Sequence, residues 1–178
     1  MSEEPASTER NRNLWAPWRM EYMDMLADGP GGCFFCRYRD DPAGDARNLV
    51  VWRGRRAITV LNRFPYTGGH SMVAPMDHVA ALSDLDDQTV LEIMGMVRDL
   101  QGALGRAVRA EGFNIGINIG RCAGAGLPGH LHVHVVPRWQ GDTNFMPVFG
   151  GVRIIPQMLQ DLRDQILRAA KELHLPES

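Results

Sequence analysis

At 178 residues, with 44% hydrophobic and 22% charged residues, the chain is long enough for one independent core and has the make-up of a globular domain. A net charge of −2 provides no basic footprint for nucleic acid or for an anionic membrane surface. No apolar run approaches the roughly 18 residues of a membrane span, residues 1–13 lack the apolar stretch of a signal peptide, and three cysteines do not make a disulfide framework; the cytoplasm is the expected compartment.

Residues 1–13 show no periodicity and read as a disordered tail. Over residues 15–26, Trp15, Trp18, Tyr22, Met25 and Leu26 give one apolar side to a short helix, with Pro17 suited to its first turn and the glycines after Asp28 ending it. Cys33-Phe34-Phe35-Cys36 follows. Alone, such a spacing fits a metal pair, a redox pair or two buried thiols. Residues 49–52 and 57–61 are apolar and β-branched on either side of Arg53-Gly54-Arg55, the pattern of a hairpin. A turn-rich loop over residues 62–69 leads to a strand over 70–75, and Asn62 at a strand end is an ordinary turn residue.

The strongest helical pattern spans residues 81–111. Ser83, Asp84 and Asp86 offer N-caps, and Val90, Ile93, Met94, Val97, Leu100, Leu104 and Val108 recur at three- and four-residue steps. Gly95, Gly102 and Gly105 each cost about 1 kcal/mol relative to Ala, which predicts close approach of this helix to the sheet or to a second subunit. Residues 112–120 alternate as a strand, with Asn114, Gly116 and Asn118 on one face and Phe113, Ile115, Ile117 and Ile119 on the other. The loop that follows carries Gly124, Gly126 and Gly129, and glycine lets backbone N–H groups come close to a phosphate.

Next stands Gly129-His130-Leu131-His132-Val133-His134-Val135-Val136-Pro137-Arg138. A strand has a side-chain period of two, so His130, His132 and His134 share one face while Leu131, Val133 and Val135 bury the other. A core face would be filled by Val or Ile at no polar cost, whereas each imidazole needs partners for two ring nitrogens. The row therefore suits a metal site or a phosphate-handling site with a nucleophilic histidine, against the plainer reading of a solvated sheet face. A loop over 139–149 and a helix opened by Pro156, with Ile155, Leu159, Leu162, Ile166, Ala170 and Leu173 in one stripe, complete the chain. His174 falls near the end of that helix, where its charge suits the dipole. The elements together predict an α+β fold, an antiparallel sheet of about five strands with one long helix and a C-terminal helix, as a single domain over residues 14–178.

The run His-Leu-His-Val-His-Val-Val resembles the signature of the histidine triad (HIT) superfamily of nucleotide hydrolases and transferases, over residues 33–138. Leu14-Trp15-Ala16-Pro17-Trp18-Arg19, Gly124-Ala125-Gly126, and Arg138-Trp139 followed by Gly141-Asp142-Thr143-Asn144-Phe145 are similar to the diadenosine tetraphosphate phosphorylase (ATP adenylyltransferase) branch. Where the commoner hydrolase and phosphoramidase members carry Gln in the loop before the triad, Gly126-Leu127-Pro128 stands here.

The resemblance implies a set of roles. His132 would be the nucleophile, with His134 and His70 as its catalytic companions. Asn62 would contact the ribose, Asn118, Gly124 and Gly126 the phosphates, and Phe34, Phe35 and Leu61 the base, although those three also read as core residues. Cys33, Cys36, His78 and His130 would ligate a structural zinc. The implied substrate is a purine nucleotide or dinucleoside polyphosphate, with inorganic phosphate as acceptor, in a homodimer. The competing readings are a HIT-family hydrolase or phosphoramidase, a non-catalytic nucleotide-binding protein, and a catalytic metal held by the three histidines.

Overall fold

The structure, a computed structural model, describes residues 32–142 and 158–175. The tail, the helix expected over 15–26, Pro156, and the loop beyond Asp142 lie outside the described residues. A short helix α1 (Phe34–Arg39) is followed by a 3-10 turn (Pro42–Gly44) and a one-turn helix α2 (Asp45–Asn48). Strands β1 (Val50–Arg53), β2 (Ala57–Leu61) and β3 (Ser71–Pro75), the long helix α3 (Asp87–Val108), β4 (Gly112–Ile117), β5 (Val133–Arg138) and helix α4 (Leu159–Glu172) complete the order.

The strands form one antiparallel sheet in the order β1-β2-β3-β5-β4. Every residue of β2 and β3 is buried, because both faces of these inner strands are covered. That is why their sequences run apolar without clean alternation. One face packs on α3 and α4 through Leu61, Val73, Val133, Val135, Ile93, Val97, Leu104, Leu162 and Ile166. The other buries Phe35, Val50, Ile58, Val60, Met72, Ala74 and Leu127, and the triad lies on this second face.

Helix α3 begins where its caps predict. The Asp86 carboxylate accepts the Thr89 N–H at 2.7 Å and so satisfies one of the orphan donors of the first turn. The sequence-predicted span of 81–111 shortens, since Leu82–Asp84 is a separate 3-10 turn and Arg109 takes a left-handed conformation that ends the helix. Among the described residues the expected close approach at the helix glycines is absent. A Cβ at Gly95 or Gly105 would meet nothing within 4 Å, and at Gly102 only Leu173 at 3.9 Å. Gly105→Ala is therefore expected to stabilise the fold by about 1 kcal/mol, read as a rise of roughly 2–4 °C in Tm. A fall in Tm would mean that something outside the described residues fills the space.

The strand predicted over 112–120 stops at Ile117, and the one carrying the triad starts only at Val133. Of the three histidines, His134 alone sits in the ladder, opposite Met72 on one side and Gly116 on the other. His130 and His132 precede it, freed to take different partners. His174 follows the end of α4, exposed, in a left-handed turn closed by its N–H to the Lys171 carbonyl at 3.1 Å.

Candidate active site and metal-ligand cluster

A six-residue helix is far below the length that is stable alone, so α1 depends on its anchors. Arg53, on β1, donates to the Tyr38 carbonyl and, at 3.1 Å, to the Arg39 carbonyl, and it forks onto Asp45 at 2.6 and 2.9 Å. Arg39 reaches across to the Met76 carbonyl at 3.0 Å. Phe35 anchors the helix from below, 1% exposed, with its ring 5.0 Å from that of His130 and 5.5 Å from that of His132. Burying such a ring contributes about 2–3 kcal/mol.

Cys33 caps α1 and Cys36 lies within it, so both thiols reach the same side. The loop after β3 is stapled to the triad segment by the Leu131 N–H on the Val79 carbonyl at 2.7 Å. That staple brings His78 beside His130, ring edge to ring face at 5.1 Å. Cys33 Sγ lies 3.1 Å from His130 Nδ1, Cys36 Sγ 3.4 Å from His78 Nδ1, and Cys36 Sγ 3.8 Å from His130 Nδ1. All four donor atoms fall within 4.8 Å of one another, a group that can hold a metal ion.

The second nitrogen of His130, Nε2, lies 2.9 Å from the Pro75 carbonyl. A carbonyl only accepts, so Nε2 carries the proton and Nδ1 presents its lone pair to the cysteines. Burial pushes the His130 imidazole down to about 4, keeping it neutral, and pushes the Cys33 thiol up to about 11. A divalent cation among these groups would reverse the second effect by favouring the thiolate.

His132 is 5% exposed, and burial lowers its pKa so that it too stays neutral. Its Nδ1 lies 2.8 Å from the backbone carbonyl of His130. The proton is therefore on Nδ1 and the lone pair on Nε2, the form in which imidazole is a nucleophile. The His134 ring stands edge-on at 4.8 Å. Its Nδ1 is 3.0 Å from Nε2 of His70, which is fully buried. The backbone N–H of Tyr66, which can only donate, reaches His70 Nδ1 at 3.1 Å. His70 therefore holds its proton on Nε2 and gives it to His134 Nδ1, leaving neutral His134 with its own proton on Nε2.

Several expectations change at this point. The three histidines do not converge on one cation, because His130 turns toward the cysteines while His132 and His134 face each other. Leu61 belongs to the helix-side core, 2% exposed, on the face away from the triad, so its part is packing and not base contact. Phe35 is equally interior and backs the histidines; Phe34, half-buried with its ring 4.2 Å from that of Phe35, is the member of this set left at the surface. Gly124 cannot offer its N–H to a phosphate as folded, since that N–H closes a 3-10 turn on the Arg121 carbonyl at 3.0 Å. Gly126 follows that turn and Asn118 follows β4, both half-buried. Asn62 is 4% exposed and lies beside His70.

Tyr66 was invisible to sequence pattern. Its ring stacks on that of His70 at 4.5 Å and 22° and stands 6.1 Å from that of His134, and its backbone N–H, which carries no side-chain signal, reaches His70 as well.

A family model for the HIT domain matches residues 44–141. An AP-4-A phosphorylase of Mycobacterium tuberculosis is 40% identical over 167 residues, covering 85% of this chain and 80% of that protein. Among solved structures, a Zn-bound histidine triad family protein from Mycobacterium smegmatis superposes with a TM-score of 0.63 at 25% identity, over 78% of this chain and 95% of the other. A hypothetical histidine triad nucleotide-binding protein from Sulfolobus tokodaii gives the same TM-score of 0.63 and 25% identity, over 78% and 93%.

Proposed function

Because this chain belongs to the HIT domain family, we propose that it is a nucleotidyltransferase that cleaves dinucleoside polyphosphates such as diadenosine tetraphosphate, with inorganic phosphate as acceptor. The observation that carries the reading is the neutral His132 ring, held by Nδ1 with its Nε2 lone pair available, in a chain 40% identical to an AP-4-A phosphorylase.

In the first step, His132 Nε2 bonds to an α-phosphorus as the bond to the bridging oxygen breaks, and ATP leaves. His134, whose Nδ1 is engaged by His70, carries on Nε2 the proton that faces charge on the transferring group. In the second, an oxygen of inorganic phosphate bonds to phosphorus as the N–P bond breaks, giving ADP and restoring neutral His132. Division into two displacements at one phosphorus lets a buried imidazole replace an attack by the acceptor on an intact anhydride.

Cys33, Cys36, His78 and His130 suit a structural zinc. Around tetrahedral zinc, donors at about 2.0–2.3 Å stand roughly 3.3–3.8 Å apart, against 3.1, 3.4 and 3.8 Å for three of the pairs here and no pair beyond 4.8 Å. Bound there, the metal would cross-link α1, the His78 loop and the triad segment, with its four positions filled by protein. Val90, Leu91 and Met94 of α3 and Ile115 and Ile119 on the β4 side are exposed apolar residues, and β4 ends the sheet among the described residues, which supports a homodimer. No described helix is long and apolar enough to cross a membrane, in keeping with a cytoplasmic enzyme acting on purine nucleotides.

The test is product analysis with diadenosine tetraphosphate and radiolabelled inorganic phosphate. The expected result is ADP carrying the label in its terminal phosphate, together with unlabelled ATP, and no turnover without phosphate. Release of AMP at the same rate with or without phosphate would assign water as the acceptor and a hydrolase in place of a phosphorylase.

A further inference from the structure

We propose that Cys33 and Cys36 form an oxidisable dithiol: a hydroperoxide closes them into a disulfide, which opens the Cys/His cluster and disturbs the packing beneath His132. The proposal rests on the zinc reading above for the loss of metal and on the nucleotidyl-transfer reading for its kinetic effect, but on neither for the chemistry of the two sulfurs.

The geometry for closure is local. Cys33 is the N-cap of α1, with extended backbone, and Cys36 lies in the first turn, which the Arg37 N–H closes on the Cys33 carbonyl at 3.2 Å. Both sulfurs face one atom, His130 Nδ1, at 3.1 and 3.8 Å. They lie within 4.8 Å of each other, and a disulfide holds its sulfurs at about 2.0 Å, so at most roughly 3 Å of approach remains. Side-chain rotation and a small shift of the N-cap supply it, because an N-cap residue is only half inside the helix.

The sulfurs are also within reach of solvent. Both cysteines are half-buried, and His78 beside them is exposed. Cys122, the third thiol, lies outside the cluster, so closure stays within the Cys33–Cys36 turn.

With hydrogen peroxide, one sulfur bonds to a peroxide oxygen as the O–O bond breaks, giving a sulfenic acid and water. The second sulfur then bonds to the first and expels another water. The pair loses two electrons and the peroxide is reduced; from metal-bound thiolates the two protons come from solvent, and the cation leaves to it. In a reducing compartment such a pair rests as the dithiol and closes only under oxidant.

Phe35 carries the change to the nucleophile. It stands between the two cysteines in sequence and is 1% exposed, with its ring 5.0 Å from that of His130 and 5.5 Å from that of His132. Drawing Cys33 toward Cys36 moves the turn that bears this ring.

The test exposes the full chain, reduced, zinc-loaded and freed of reductant, to hydrogen peroxide. Peptide mapping should find Cys33 joined to Cys36 with the loss of two hydrogens, and thiol titration of the denatured chain should leave Cys122 alone reactive. A chromogenic chelator should register zinc release in step with thiol loss. With diadenosine tetraphosphate, kcat should fall on the order of 10- to 100-fold, as for a displacement of about 1 Å at a reacting group, and dithiothreitol with zinc should restore it. Cys122→Ser should respond in the same way.

Peroxide that leaves Cys33 and Cys36 unlinked overturns the proposal, as does a linked pair with unchanged kcat. Reduced protein that holds no zinc, yet closes the disulfide and loses rate reversibly, refutes the zinc reading and leaves the dithiol standing. Protein that closes the pair and shifts the His132 imidazole signals in proton–nitrogen correlation spectra, yet never cleaves a dinucleotide, refutes the proposed reaction and leaves the coupling standing.

Discussion

His132→Ala is expected to lower kcat for diadenosine tetraphosphate cleavage on the order of 10,000-fold or more, with KM nearly unchanged, because the substitution removes the atom that bonds to phosphorus while leaving the surrounding pocket in place. Among the described residues the ring is hydrogen-bonded from Nδ1 to the His130 carbonyl, so its loss leaves one backbone acceptor to find water. Removing a ring packed on Phe35 also costs stability, about 1–3 kcal/mol by lost contact and the cavity left behind, which a Tm measurement separates from the catalytic effect.

A second readout is chemical. Denaturing the parent protein during turnover of α-labelled substrate should trap label on the chain through an acid-labile N–P bond, and the variant should trap none. His132→Gly with added imidazole should recover part of the rate, since the small base can enter the vacated space. A variant that turned over at the parental rate, or label that persisted without His132, would refute the proposed nucleophile.

Cys36→Ser should abolish stoichiometric zinc binding and lower Tm by about 8–16 °C. Cys36 faces both histidines of the cluster, at 3.4 and 3.8 Å, and a hydroxyl is a poor substitute for a thiolate on a soft-ligand site. Zinc present at a thousandfold excess over its Kd adds about 4 kcal/mol to the folded state. In a chain of this size each kcal/mol moves Tm by roughly 2–4 °C. Metal analysis by emission spectrometry, with thermal melts before and after chelation, makes the comparison. If chelation leaves the parent's Tm where it was, the cluster is a pair of thiols beside two histidines and not a zinc site. Cys122, exposed and away from the cluster, serves as the control, with Cys122→Ser expected to retain full metal content.

Those two substitutions act on residues of different segments that both meet His130, and the structure explains why they nonetheless differ. His130 sends its side chain toward the cysteines and its backbone carbonyl to His132. The Cys/His cluster therefore supports the proposed nucleophile by holding the chain from which it hangs. Loss of metal should then reduce kcat far less than loss of His132.

Much of this was written in local order along the chain. The β-branched run over 57–61 is β2, Asp86 is the cap of α3, and the stripe Leu162, Ile166 and Ala170 is the buried side of α4. The alternation at 130–134 marked the candidate site, and the family likeness assigned the four ligand candidates that the structure brings together. Such features are readable because side-chain periodicity and capping depend on residues within a few positions of one another.

Other roles had no local trace. Cys33 and His130 are 97 positions apart, and their meeting depends on the crossing that places β5 beside β3 instead of beside β4 alone. Leu61 and Phe35 look alike in sequence as apolar neighbours of polar segments, but the sheet puts them on opposite faces. The N–H of Gly124 looked available to a ligand until its own turn closed on it. Sequence by itself determined the main strands and the two long helices, short of their ends, and which residues carry reactive groups, since these follow from short-range sterics and side-chain chemistry. Tertiary structure alone decided which nitrogen of each histidine holds a proton, because that depends on donors and acceptors delivered from distant turns.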